Sequence, residues 1–107
     1  MSRFHEVIDR LAAVIEARRD ADPVASWSAR LIADPVLAAK KLAEEAVEVA
    51  LAAAQRDQAA VIAESADLIY HWLALLAGAG VTLDDVAAAL EAREGRSGIE
   101  EKAGRGS

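Results

Sequence analysis

Cysteine is absent from this 107-residue chain, which excludes a disulfide framework, a zinc-thiolate site and a cysteine nucleophile. Proline occurs twice and glycine six times, while apolar residues, many of them alanine, make up 54 %. That balance reads as one all-helical domain whose helices approach closely over alanine. Excess positive charge is missing too. The formal net charge of −6 argues against nucleic-acid binding, because phosphate backbones are held by surplus Lys and Arg. It leaves a small phosphorylated ligand open, since bound divalent cations invert the local sign. The N-terminus carries no apolar leader core, and no uninterrupted apolar run reaches membrane length. The expectation is a soluble cytoplasmic protein with no membrane partner.

Caps and breakers divide the chain into four long helices and one short segment. Ser2 caps a first helix to about Arg19, with Phe4, Val7, Ile8, Leu11, Val14 and Ile15 on one face. Asp20-Ala21-Asp22-Pro23 breaks it, and Ser26 caps one or two turns over Trp27 to Ile32. Asp34-Pro35 starts a helix to about Gln55, with Asp as N-cap and Pro at the first helical position. Another runs from about Gln58 to Ala77, stopped by Gly78-Ala79-Gly80. Thr82 caps the last, with Asp84 and Asp85 favoured in its first turn and an end near Gly95. Residues 1–95 form the domain; 96–107 are a glycine-rich charged tail. The helix from Gln58 is apolar around most of its circumference, which a monomer this small can hardly surround. The prediction is a four-helix bundle completed by homodimerisation.

The chemistry lies in four acidic residues. Glu45 and Glu48 are spaced i, i+3, as are Glu64 and Asp67, so each pair shares a face of its own helix. Glu45 with Asp67, and Glu48 with Glu64, are each placed symmetrically about position 56, inside the polar break Gln55-Arg56-Asp57-Gln58. An antiparallel hairpin therefore sets them opposite one another. As a plain solvated face they would gain only i+4 pairs, Lys40 with Glu44 and Lys41 with Glu45, of about 0.3–0.5 kcal/mol each. A solvated face has no reason to repeat its spacing about the turn or to seat acids beside Val49 and Leu68. Converging carboxylates need a divalent cation between them, and hard oxygen ligands call for Mg²⁺, Mn²⁺ or Ca²⁺. Phosphoryl transfer needs mainly positioning and charge neutralisation, so the lack of a nucleophile–base pair fits metal-assisted hydrolysis.

The stretches KKLAEEAVEVALAA and ESADLIYHWLALLA resemble the Glu-Glu-x-x-Glu … Glu-x-x-Asp signature of the all-helical, MazG-like nucleotide pyrophosphohydrolases. Arg18-Arg19 to Pro23, SWSARL, Lys40-Lys41, VTLDD and SGIEEKAGR narrow the resemblance to the phosphoribosyl-ATP pyrophosphatase family, over roughly residues 4 to 105. Ala43 stands where that family commonly has glycine, and Ser26-Trp27-Ser28 where it commonly has Ser-Tyr-Thr. The resemblance implies Mg²⁺-dependent hydrolysis of phosphoribosyl-ATP to phosphoribosyl-AMP and pyrophosphate, the second step of histidine biosynthesis. It implies Glu45, Glu48, Glu64 and Asp67 as metal ligands, with Mn²⁺ as the alternative ion. Glu44 is then an outer-sphere partner or a further ligand, and one of these carboxylates accepts the proton of the attacking water.

Other residues carry two readings each. Lys41, on the metal-side face, contacts phosphate or forms an ion pair, and Lys40 stands beside it. His71 touches substrate or is a hydrogen-bonded helix histidine. Trp27 stacks on adenine or anchors packing. Ser97, Gly98, Lys102 and Arg105 have the small and basic composition suited to closing over phosphate or ribose, and the resemblance implies ordering of the tail on substrate. Competing functions are a MazG-like hydrolase of canonical or damaged nucleoside triphosphates, a non-catalytic dimerisation module and a di-iron bundle. The di-iron reading is the weakest, since its ligands are Glu-x-x-His and here the motif is Glu64-x-x-Asp67.

Overall fold

Residues 2–95 are described by a computed structural model, and every regular element among them is a helix. Helix α1 spans Arg3–Ala17, with the Ser2 hydroxyl accepting from the His5 N–H at 3.3 Å. It stops before Arg18, whose N–H donates to Ile15 at 3.0 Å and tightens the last turn. The Arg19 guanidinium donates to both Glu16 carboxylate oxygens, at 2.7 and 2.8 Å, and to the Ala77 carbonyl at 2.8 Å. The end of α1 is thereby tied to the end of α4.

The short capped segment is a fifth helix, α2 (Trp27–Ala33), so the bundle has five helices among the described residues and not four. Seven residues do not hold a helix in water. This one persists because the Ser26 hydroxyl accepts from the Ala29 N–H at 3.1 Å and Ala29, Leu31 and Ile32 are buried. Asp34 ends α2 and also caps α3 (Pro35–Ala54), its carboxylate accepting from the Leu37 N–H at 3.0 Å.

Between α3 and α4 (Gln58–Ala79) the chain reverses within three residues. Arg56 adopts the left-handed conformation (φ 57°). The Asp57 N–H reaches back to the Ala52 carbonyl at 3.1 Å, closing a Schellman motif. Asp57 then caps α4, accepting from the Ala60 N–H at 3.1 Å. Left-handed backbone costs an L-residue about 1–2 kcal/mol, so the hairpin holds Arg56 in a strained geometry that glycine would adopt freely.

Helix α4 runs through Gly78 and ends at Ala79, two residues beyond the expected stop. Gly78 serves close approach and not termination: a Cβ there would lie 3.0 Å from the Ile32 carbonyl oxygen. Termination falls to Gly80, left-handed at φ 72°. By length and composition α4 could cross a membrane, contrary to the absence of such a run read from the sequence. It carries Glu64 and Asp67, however, and packs along α3 as a core helix. Helix α5 (Leu83–Glu91) opens on a capping box: the Asp85 N–H donates to the Thr82 hydroxyl at 3.1 Å, and the Thr82 N–H donates to the Asp85 carboxylate at 2.9 Å, the main influence holding that carboxyl below its ordinary pKa. It ends four residues before Gly95.

Ile15, Leu31, Ile32, Ala38, Leu73 and Ala74 form the core where α1, α2 and α3 meet the C-terminal half of α4. The other half of α4 is not enclosed: Ile62 is 71 % exposed, and Val36, Val47 and Leu51 along α3 are exposed as well. The radius of gyration, 15.9 Å, exceeds the roughly 13 Å of a compact chain near 100 residues.

Candidate metal centre

The tight turn at Arg56 sets the register of the hairpin, and the register decides which acids face one another. One carboxylate oxygen from each of Glu45, Glu48 and Glu64 falls within 4.8 Å of the other two. Asp67 is outside this trio and exposed, yet near enough for its charge to act on Glu45. Burial is the main influence raising the Glu45 carboxyl, followed by the charges of Glu48 and Asp67. The Glu64 carboxyl is pushed up to about 7, chiefly by a hydrogen bond to Glu48 that only a protonated pair can make, then by burial and by the Glu48 charge. Once that proton is gone no donor among the described residues replaces it: Oε2 of Glu45 and Oε2 of Glu64 are both buried there without a partner.

Buried anionic oxygens without donors are costly. Two of them, converging from two helices with an oxygen of the exposed Glu48 carboxylate, make a set of hard ligands that fits a divalent cation of the magnesium class. The same set offers no thiolate or imidazole to a softer metal.

Lys41 Nζ pairs with Glu44 at 3.3 Å, three residues on, in place of the expected i+4 partner Glu45. Glu45 is therefore left without a cation and Glu44 is occupied at the rim. Lys40 is exposed beside them. His71 is buried and both of its ring nitrogens are engaged, by the Trp27 indole at 3.2 Å and the Asp67 carbonyl at 2.8 Å. Trp27 anchors packing in this arrangement: its indole N–H bonds His71 and the Arg30 guanidinium lies 5.7 Å from its ring centre. The Ser28–Tyr70 hydroxyl bond, 2.6 Å, was not legible in the sequence, since helical spacing within α4 says nothing of which residue α2 brings against it. Ser97, Gly98, Lys102 and Arg105 lie outside the described residues. A hollow of about 580 Å³ between α1, the end of α4 and the start of α5 is lined by Glu16, Arg19, Leu76 and Asp84 and holds none of the acidic trio.

Residues 8–94 match the protein family described as phosphoribosyl-ATP pyrophosphohydrolase. A phosphoribosyl-ATP pyrophosphatase of Caulobacter vibrioides is 61 % identical over 103 residues, 96 % of either chain. A protein of the same name from Cereibacter sphaeroides is 54 % identical over 101 residues, covering 94 % of this chain and 98 % of its own. One from Parvibaculum lavamentivorans is 54 % identical over 100 residues, 92 % of each.

Proposed function

The chain belongs to the phosphoribosyl-ATP pyrophosphohydrolase family, and on that premise we propose how it hydrolyses phosphoribosyl-ATP to phosphoribosyl-AMP and pyrophosphate in histidine biosynthesis. The observation that carries the mechanism is the convergence of Glu45, Glu48 and Glu64 with two buried, unpartnered oxygens. These three would hold Mg²⁺, or Mn²⁺ in its place, with the exposed carboxylate of Asp67 as the fourth ligand. When bound, the ion neutralises the polyphosphate and polarises the phosphorus under attack.

The chain's own part is positional. Carboxylates from both α3 and α4 would hold the ion, and so set where the substrate's phosphates are held. A carboxylate of the cluster, with Glu44 at its rim, takes the proton of the attacking water. Lys41 and Lys40 lie one turn before the acids, where they meet phosphate oxygens once substrate displaces the Lys41–Glu44 pair, a contact worth little at an exposed site. Trp27 beside the base, together with Ser97, Lys102 and Arg105, would complete the substrate contacts implied by the family resemblance. His71 is not among them, because its nitrogens are already used.

Pyrophosphate release measured with magnesium should be far faster on phosphoribosyl-ATP than on dUTP, dCTP or ATP. Preference for a simple triphosphate would move the chain to the MazG-like nucleoside triphosphate hydrolases.

The enzyme works as a homodimer in the cytoplasm. Support for the dimer comes from the apolar surface at Val36, Val47, Leu51 and Ile62 and from the open shape of the single chain. Sedimentation should give twice the mass of one chain; a monomer at micromolar concentration would refute it.

A further inference from the structure

Two neighbouring residues of α2 bond two neighbouring residues of α4. The Trp27 indole N–H donates to His71 Nε2 at 3.2 Å, and the Ser28 and Tyr70 hydroxyls lie 2.6 Å apart. The His71 ring continues inward, its Nδ1 lying 2.8 Å from the Asp67 carbonyl oxygen. An indole N–H can only donate and a carbonyl can only accept. Together the two bonds fix one form of the ring: neutral, with its proton on Nδ1. Rings of Tyr70 and Trp27 meet it edge-on, with centroids at 5.1 and 6.3 Å.

A histidine so held is neither a metal ligand nor a proton carrier, since one nitrogen donates to backbone and the other accepts from Trp27. Its place is nevertheless beside the cluster, one turn beyond Asp67 and bonded to that residue's carbonyl. The residue whose backbone it grips is Asp67, the one expected ligand outside the trio. Among the described residues no hydrogen bond or ion pair fixes the Asp67 carboxylate. Where its backbone sits therefore decides whether that carboxylate can reach the ion.

We propose that His71 is a positioning residue for the metal centre, tying the Asp67 turn of α4 to the start of α2 so that Asp67 joins Glu45, Glu48 and Glu64 as a ligand. The proposal rests on reading the acidic cluster as a metal centre. Partners that orient ligands in this way change metal affinity by about 10–100-fold.

The test is Mn²⁺ affinity, measured by electron paramagnetic resonance on the substrate-free protein, for the wild type, His71→Leu, Asp67→Asn and the double variant. His71→Leu should weaken binding about 10–100-fold. In the Asp67→Asn background the same change should add almost nothing, because the ring acts through Asp67. Effects that multiply in the double variant would overturn the proposal. Should His71→Leu not fold, Trp27→Phe replaces it in the same cycle, removing the donor to Nε2 while keeping an aromatic ring. Nitrogen-15 spectra of the wild type should show the Nδ1-protonated ring, and an Nε2-protonated ring would equally overturn the assignment. A wild type that binds no Mn²⁺ would sink the metal-centre reading and this proposal with it. Wild-type affinity retained in His71→Leu would sink the proposal alone.

Discussion

Glu64→Gln should lower magnesium-dependent pyrophosphate release at least ~100-fold, because it removes a direct ligand where supporting partners alone are worth about 10–100-fold. The same substitution should leave the metal-free protein no less stable at pH 8 than its parent. In the parent, the folded state keeps the Glu64 proton up to about 7, whereas the unfolded chain releases it near the ordinary glutamate value of 4.5. Between those values the folded state binds more protons than the unfolded one, so stability declines as pH rises through the interval and levels off above it. Below 4.5 both states are protonated and the penalty vanishes. A neutral glutamine takes no part in this titration. Thermal melts of the metal-free proteins from pH 4 to 8 should therefore show a shallower decline in the variant, the residue being due to Glu45, whose carboxyl is also raised. Manganese should raise the parent's melting temperature and leave that of the variant nearly unchanged. An undiminished rate, or an unchanged response to manganese, would remove Glu64 from the centre.

A second large effect is expected far from the acids. Leu31 is completely buried in the core where α2 meets α3 and α4. Leu31→Ala should cost about 2–5 kcal/mol, through lost transfer energy and the cavity left behind. Against a total of about 5–15 kcal/mol that is a substantial share. For a domain of this size it corresponds to a fall in melting temperature of roughly 10–25 °C. Loss below about 1 kcal/mol in urea titration would mean that α2 is not docked as described. Helix α2 also carries Trp27 and Ser28, so undocking it would release both bonds to α4.

Caps are local chemistry, and they were legible in the sequence. Ser2, Ser26, Asp34 and Thr82 all cap the helices that their positions predicted. The mirror placement of the acids about Arg56 likewise brings Glu48 and Glu64 together, as the turn geometry requires. What could not be read depends on contacts distant in sequence. Gly78 looked like a helix stop, and only the nearness of the Ile32 carbonyl reveals it as a site of close approach. Trp27 with His71, and Ser28 with Tyr70, are joined by the packing of α2 on α4, which no periodicity encodes. Lys41 chose Glu44 over Glu45 because the two spacings differ little in energy on a helix surface.

Asp34 closes one helix while opening the next, and Arg56 with Asp57 does nearly the same between α3 and α4. Neither junction contains slack. One added residue at either would turn the following helix by about 100° about its axis. The ligands would swing to a different side even though every side chain were retained. Sequence length at these two corners is thus under the same geometric control as the carboxylates.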